Sequence, residues 1–258
     1  MAVAAGKFDL TGRVAMVTGA GPGFGRVFAE GLASYGASVV ALHRDLAKAQ
    51  ATVDALHAGG HDSAYAVEAD ISVPEQVEAA FAAVKERSGQ LDVLVNNAGL
   101  WSFAPALELS LEEWHEVLSV NLTGTFMCCT AAGRIMVEQG RGSIINVSSL
   151  SSVHGFKNRA AYAASKHGDL GVTRVLANEW ATSGVRVNAL GPGAHLTEMT
   201  KEWRSDPEVY QREFIDKIPM GRFGDSEELI GPLVFLASDA SSYMTGQTVF
   251  SDGGWLLM

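Results

Sequence analysis

Tyr162 and Lys166 stand four residues apart in Tyr-Ala-Ala-Ser-Lys, at the end of a stretch that begins at Ser149. They open an Ala-rich, helix-favouring run through Leu170 and Leu176, and residues four apart on a helix share a face. A phenol with its ordinary pKa of ~10 is protonated at neutral pH, so its use as a general base requires lowering that value by about 3 pH units, or ~4 kcal/mol. An ammonium about 4 Å away supplies ~4 kcal/mol at an effective dielectric of ~20. The spacing therefore suffices for an acid–base pair. Ordinary amphipathic helices carry Tyr and Lys at the same spacing, so the rest of the chain must decide its meaning.

The elements that would hold such a pair are regular. Seven short β-rich runs, at 13–18, 38–42, 64–69, 91–96, 143–147, 185–190 and 247–250, alternate with helical patterns. Most are continuously apolar, as expected of parallel strands covered on both faces. Capping-box pairs, Ser72 with Glu75, Ser110 with Glu113 and Asp225 with Glu228, mark helix starts. The expectation is an α/β protein: a doubly wound, Rossmann-like, seven-stranded parallel sheet with helices on both faces, a single domain over 1–258. Ligands of such sheets bind beyond the carboxyl ends of the strands.

The first strand runs into Thr18-Gly19-Ala20-Gly21-Pro22-Gly23-Phe24-Gly25 and then a helical segment. Glycines let the backbone approach a pyrophosphate, and the amides of a helix start carry positive potential toward it. The pattern is neither G-x-G-x-x-G nor a Walker loop; a plain tight turn is the alternative. At the tip of the second strand, where an acid would bind the ribose of NAD, His43 is followed by Arg44, which can pair with the extra phosphate of NADP. NADP(H) is the preferred cofactor, with NAD(H) left open because Asp45 would serve a ribose if the register slipped. Asp70, after the third strand, is a candidate for an adenine amino group or for starting the next helix. Asn97 and Gly99, within Asn96-Asn97-Ala98-Gly99, could tie loops together and leave room for a flat ligand. Asn121 lies inside a helical pattern at 114–137, where Asn is a poor former.

Composition excludes other classes. The 258 residues carry 47% apolar and 19% charged side chains and a net charge of −10, against a nucleic-acid surface. The amino-terminal segment is too short in its apolar part for a signal peptide, and no run suits a membrane span, so a cytoplasmic protein is expected. Neighbouring Cys128 and Cys129 suit buried thiols better than a disulfide. His57 and His61 straddle Gly59-Gly60, so no metal site is expected, and no G-x-S-x-G elbow is present.

With the glycine loop, Asn96 to Gly99, Asn121, a Ser thirteen before Tyr162, Lys166, Pro192-Gly193 and Asp252-Gly253-Gly254 in order, the chain resembles the single-domain short-chain dehydrogenases/reductases over essentially its whole length. The resemblance implies reversible hydride transfer between a nicotinamide and a secondary alcohol/ketone pair. It assigns the substrate oxygen to Ser149, proton exchange to Tyr162, the phenol's activation and the nicotinamide ribose to Lys166, and a relay water to Asn121. Gly19, Gly23 and Gly25 would cradle the pyrophosphate, with Phe24 packing near the nicotinamide end, Asn97 near the adenosine ribose and Asp70 near the adenine. Pro192, Gly193, His195 and Thr197 would complete the cofactor site. His195 replaces the usual Val or Ile, and its imidazole either reaches the substrate pocket or stays solvated. Trp101, Leu150, His154, Phe156, Met199 and Trp203 are candidate pocket residues, under a mobile substrate loop at about 195–218. The apolar carboxyl-terminal segment looks like the family's subunit interface, and the resemblance implies a homotetramer. Small carbonyl, sugar-acid and polyol substrates fit best; the alternatives are a 3-oxoacyl-carrier reductase and a non-catalytic nucleotide-binding regulator.

Overall fold

The computed structural model describes residues 5–197, 200 and 205–257. Seven parallel strands form one sheet in the order β3-β2-β1-β4-β5-β6-β7. They are β1 (Val14–Thr18), β2 (Ser38–His43), β3 (Tyr65–Glu68), β4 (Val93–Asn96), β5 (Gly142–Val147), β6 (Val185–Pro192) and β7 (Thr248–Ser251). All seven expected strands are present, with slightly shifted ends. The order reverses between β1 and β4, and a crevice opens at that switch point.

Alternation along the strands builds two cores. From β1, Ala15 and Val17 join Phe28 and Leu32 of α1 (Phe24–Ser34) and Leu233 and Leu236 of α8 (Ile230–Ala237). Val14 and Met16 point the other way, to Val77, Phe81 and Val84 of α3 (Pro74–Ser88) and Leu176 of α6 (Ala160–Trp180). Burial on both faces is why these strands read as continuous apolar runs. Cys128 and Cys129 lie in the second core, unbridged, and burial pushes the Cys128 thiol up to about 12.

Three local expectations need revision. Ser72 and Glu75 do not form a capping box: α3 starts at Pro74 with Val73 as its N-cap, because Pro suits the first helical position, and the Ser72 hydroxyl donates to Asp70 Oδ1 at 2.6 Å. Ser110 accepts the Glu113 N–H at 3.1 Å, but the Glu113 carboxylate turns to the Ser102 hydroxyl at 2.8 Å, so only half of that box forms. Glu228 does reach back, accepting the Asp225 N–H at 2.8 Å at the turn into α8. The helix expected over 114–137 is two, α4 (Leu111–Leu118) and α5 (Thr125–Gln139), joined by a π-helical turn, Ser119–Gly124, that contains Asn121.

A buried polar ladder fixes α6 against the sheet. Asn96 Nδ2 donates to Asn146 Oδ1 at 2.9 Å, Asn146 Nδ2 to the Thr173 hydroxyl at 2.9 Å, and that hydroxyl to the Asp169 carbonyl at 2.7 Å. Asn96 and Asn146 face each other in the β4–β5 register, and the Asn146–Thr173 bond ties α6 to β5. Among the described residues no helix is long and apolar enough to cross a membrane, and no cluster of side chains suits a metal ion.

Candidate active site

A cleft of about 470 Å³ runs along the carboxyl ends of the strands. At its glycine end, α1 begins at Phe24 behind Gly23, whose φ of 96° favours glycine, and no side chain caps the helix. A Cβ at Gly19 would lie 2.8 Å from Ala98 Cα, and one at Gly25 would strike the Gly19 carbonyl oxygen. Asn97 ties the two strand tips by donating to the carbonyls of Thr18 at 3.0 Å and Gly19 at 3.1 Å. A helix start without a side-chain cap, walled by backbone, fits a pyrophosphate.

Beyond β2, the acid is used elsewhere. Asp45 caps α2 (Leu46–Ala58), accepting the Ala47 N–H at 3.0 Å, and its own N–H donates to His43 Nδ1 at 2.9 Å. That bond puts the proton of a neutral His43 on Nε2, on the side facing Gly21. Burial, then the Lys48 charge, holds the His43 pKa below the usual value. His43, Arg44 and Lys48 all line the cleft, which makes this end basic. Asp70 also lines it, with Oδ1 accepting the Ser72 N–H and hydroxyl at 2.9 and 2.6 Å, so it both shapes the turn before α3 and faces the ligand space.

Tyr162 and Lys166, in the first turns of α6, and Ser149, just after β5, line the other end together. Lys166 Nζ donates to the Val147 carbonyl at 2.8 Å and to Asp169 Oδ2 at 3.1 Å, and lies 5.9 Å from the Tyr162 ring centre. Ser149 Oγ accepts the Ser151 N–H at 3.1 Å, which orients the hydroxyl at the start of a short 3-10 turn. Ser148 lines the cleft as well but is almost fully buried, and Ser151 lies behind it.

Asn121 lies behind the cleft wall. Its Oδ1 accepts the Leu100 N–H at 2.6 Å and its Nδ2 donates to the Leu100 carbonyl at 2.9 Å and the Ser165 hydroxyl at 3.2 Å. That side chain clamps the loop after β4 to α6. The π turn explains how a poor helix former is accommodated there.

The pocket beside Tyr162 is aromatic. Trp101 lies 4.8 Å from the Tyr162 ring, Phe156 5.9 Å from Trp255, and Leu150 is buried at the same end. His154 is exposed and packs on Phe156 at 4.7 Å; it is not itself part of the cleft lining. Met199 and Trp203 lie outside the described residues. His195 is not solvated; it is 3% exposed, edge-on to Phe24 at 5.9 Å, with Nδ1 donating to the Gly193 carbonyl at 3.2 Å. Gly99, Pro192, Gly193 and Thr197 also line the cleft, as expected. Sequence reasoning missed Lys48, Arg159, Phe214 and Trp255 in the lining, and Asp169 behind it. Only Lys48 carried a signal, as a second cation close after Arg44 in the sequence.

Comparison with known proteins agrees with this geometry. The family described as enoyl-(acyl carrier protein) reductase matches residues 19–256. The chain is 40% identical over 250 residues to 2-dehydro-3-deoxy-D-gluconate 5-dehydrogenase of Escherichia coli, covering 96% of this chain and 97% of that protein. It is 40% identical over 252 residues to D-threitol dehydrogenase of Mycolicibacterium smegmatis, covering 97% and 95%. The crystal structure of a gluconate 5-dehydrogenase from Burkholderia cenocepacia, in complex with NADP and tartrate, superposes with a TM-score of 0.94 at 36% identity, covering 98% of each chain. Identity and coverage of this order, together with a shared fold, establish descent: the chain belongs to the short-chain dehydrogenase/reductase family and is an NAD(P)-dependent oxidoreductase of secondary alcohols and ketones.

Proposed function

We propose that this protein oxidises a hydroxyl of a small polyhydroxylated substrate, a sugar acid or polyol, or reduces the corresponding ketone, with NADP(H) preferred and NAD(H) accepted. The observation that carries the reading is that Ser149, Tyr162 and Lys166 share one cleft with the Gly19–Gly25 loop. The bound nicotinamide would supply or accept the hydride. Ser149 holds the substrate oxygen, and Tyr162 gives it a proton in reduction and takes one in oxidation. Lys166 holds positive charge beside the phenol, and Asn121 keeps the Leu100 backbone at the cleft wall. Gly19, Gly23 and Gly25 receive the pyrophosphate. His43, Arg44 and Lys48 receive the 2′-phosphate, supported by the diversion of Asp45 to capping α2.

The finer expectations follow the same reading. The segment at about 195–218 serves as the substrate loop, and water is excluded when it closes. The protein works in the cytoplasm as a homotetramer, and exposed apolar side chains near the chain end, Tyr243 and Leu257, suit a subunit contact. Following NADPH and NADH oxidation over a panel of sugar-acid, polyol-derived and 3-oxoacyl ketones, beside Tyr162→Phe, tests the function. Turnover lost in the variant with cofactor binding retained is expected. Cofactor binding with no turnover of any ketone by the unaltered protein would favour a regulator, and turnover confined to acyl substrates would favour the acyl-carrier reductase.

A further inference from the structure

We infer that Arg159 is a carboxylate-binding residue of the substrate pocket, which makes the substrate a hydroxy or keto acid rather than a neutral polyol. The inference rests on the reading of the cleft as an alcohol–ketone site. Arg159 lines the cleft three residues before Tyr162. Its guanidinium carbon lies 4.2 Å from the centre of the Trp101 ring and 4.8 Å from that of Phe156, and Trp101 in turn packs on Tyr162. Contacts with ring faces use the flat face of a guanidinium, whereas a carboxylate is recognised in the plane, along its N–H edge. The same side chain can therefore be held by aromatics and still read an acid.

The backbone keeps Arg159 in place. Asn158 has a φ of 62°, the only positive value outside glycine among the described residues, at a cost of roughly 1–2 kcal/mol. The Ala104 N–H donates to the Asn158 carbonyl at 2.9 Å, and Ala104 forms an isolated parallel bridge with Arg159. Arg159 is also the N-cap of α6, at the positive end of the helix dipole, where a cation gains nothing from the helix and an anion does. Burial lowers the Arg159 pKa, and Tyr162 opposes this. The cleft thus carries positive side chains at both ends: Arg44 and Lys48 for a phosphate, and Arg159 beside the reacting phenol.

The test compares gluconate with sorbitol, which replaces its carboxylate by a hydroxymethyl group, as substrates with NADP. The unaltered protein is expected to favour gluconate in kcat/KM, and Arg159→Gln to lose about 10- to 100-fold on gluconate while changing sorbitol by less than about 3-fold. Arg159→Lys should recover part of the loss. Equal losses on both substrates, or none on gluconate, would overturn the assignment. In parallel, tartrate and threitol, a second acid–polyol pair, are titrated into the NADP complex, and this arm decides whenever gluconate is not turned over. Tartrate bound more tightly than threitol, with the difference removed by Arg159→Gln, supports the assignment even if no alcohol is oxidised and the reaction reading has failed. Equal binding of the two sinks it even if neutral alcohols are good substrates.

Discussion

Lys166 Nζ and Asp169 Oδ2 lie 3.1 Å apart on α6, with 7% and 1% of their side chains exposed. Burial alone would pull the Lys166 pKa down; Asp169, then Tyr162, outweigh it, and the pKa is raised. The cation beside the phenol is thus sustained by a carboxylate one helical turn further on. Breaking such a pair leaves a buried charge uncompensated, at a cost of about 3–5 kcal/mol. Asp169→Asn is expected to lower the melting temperature and the turnover number. The sign is set by a Lys whose pKa is higher folded than unfolded. Its contribution is fully present below the unfolded value of ~10.4 and is lost as pH rises through the folded one. The variant should therefore lose activity and stability at a lower alkaline pH than the unaltered protein. Coincident alkaline limbs, measured by initial rates and by thermal melts, would show that Asp169 does not govern Lys166.

The basic rim beyond β2 makes a prediction of its own. Arg44 and Lys48 are exposed side chains lining the cleft, one just before the N-cap of α2 and the other in its first turn. Arg44→Ala and Lys48→Ala should each raise KM for NADPH by about 10- to 100-fold, the worth of a charge-assisted bond, and change KM for NADH by less than about 3-fold. Equal losses with both cofactors would remove the 2′-phosphate from this end of the cleft.

What the sequence disclosed depended on whether a constraint was local. The glycine loop was legible because close backbone approach leaves no room for a Cβ at Gly19 or Gly25. The strands were legible because burial on both faces makes them apolar throughout. Tyr162 and Lys166 were legible because four residues make one helical turn. Asn146 was not: inside an apolar run it reads as an isolated polar residue, and only the β4–β5 register brings it opposite Asn96. Asp169 reads like a polar position of any helix until α6 is laid against β5. Arg159 sits in a polar loop, and its aromatic partner Trp101 arrives from the far side of the cleft. The π turn at Asn121 was foreshadowed only by a weak helix former, and the Leu100 backbone that its side chain bonds is distant in the sequence.

His195 bears on the acid limb of stability. Its ring is buried against Phe24 and faces Gly224, where a Cβ would come within 2.6 Å of it. Burial is the leading influence and lowers its pKa; the Gly193 carbonyl and Glu228 oppose this, Arg222 adds to it and Asp225 opposes it, leaving a net decrease. A folded His with a lowered pKa takes up its proton less readily than the unfolded chain, whose value is ~6.5. Its neutral form therefore imposes no penalty above that pH, and stability falls as pH drops from ~6.5 through the folded value. His195→Asn keeps a donor for the Gly193 carbonyl and removes the titration. Its melting temperature should start lower at neutral pH, because the ring leaves a void, and then decline less steeply toward pH ~5. His43, whose pKa is also lowered, titrates in both proteins, so the difference between the two slopes reports His195 alone. Parallel slopes would mean that the imbalance at acid pH arises elsewhere.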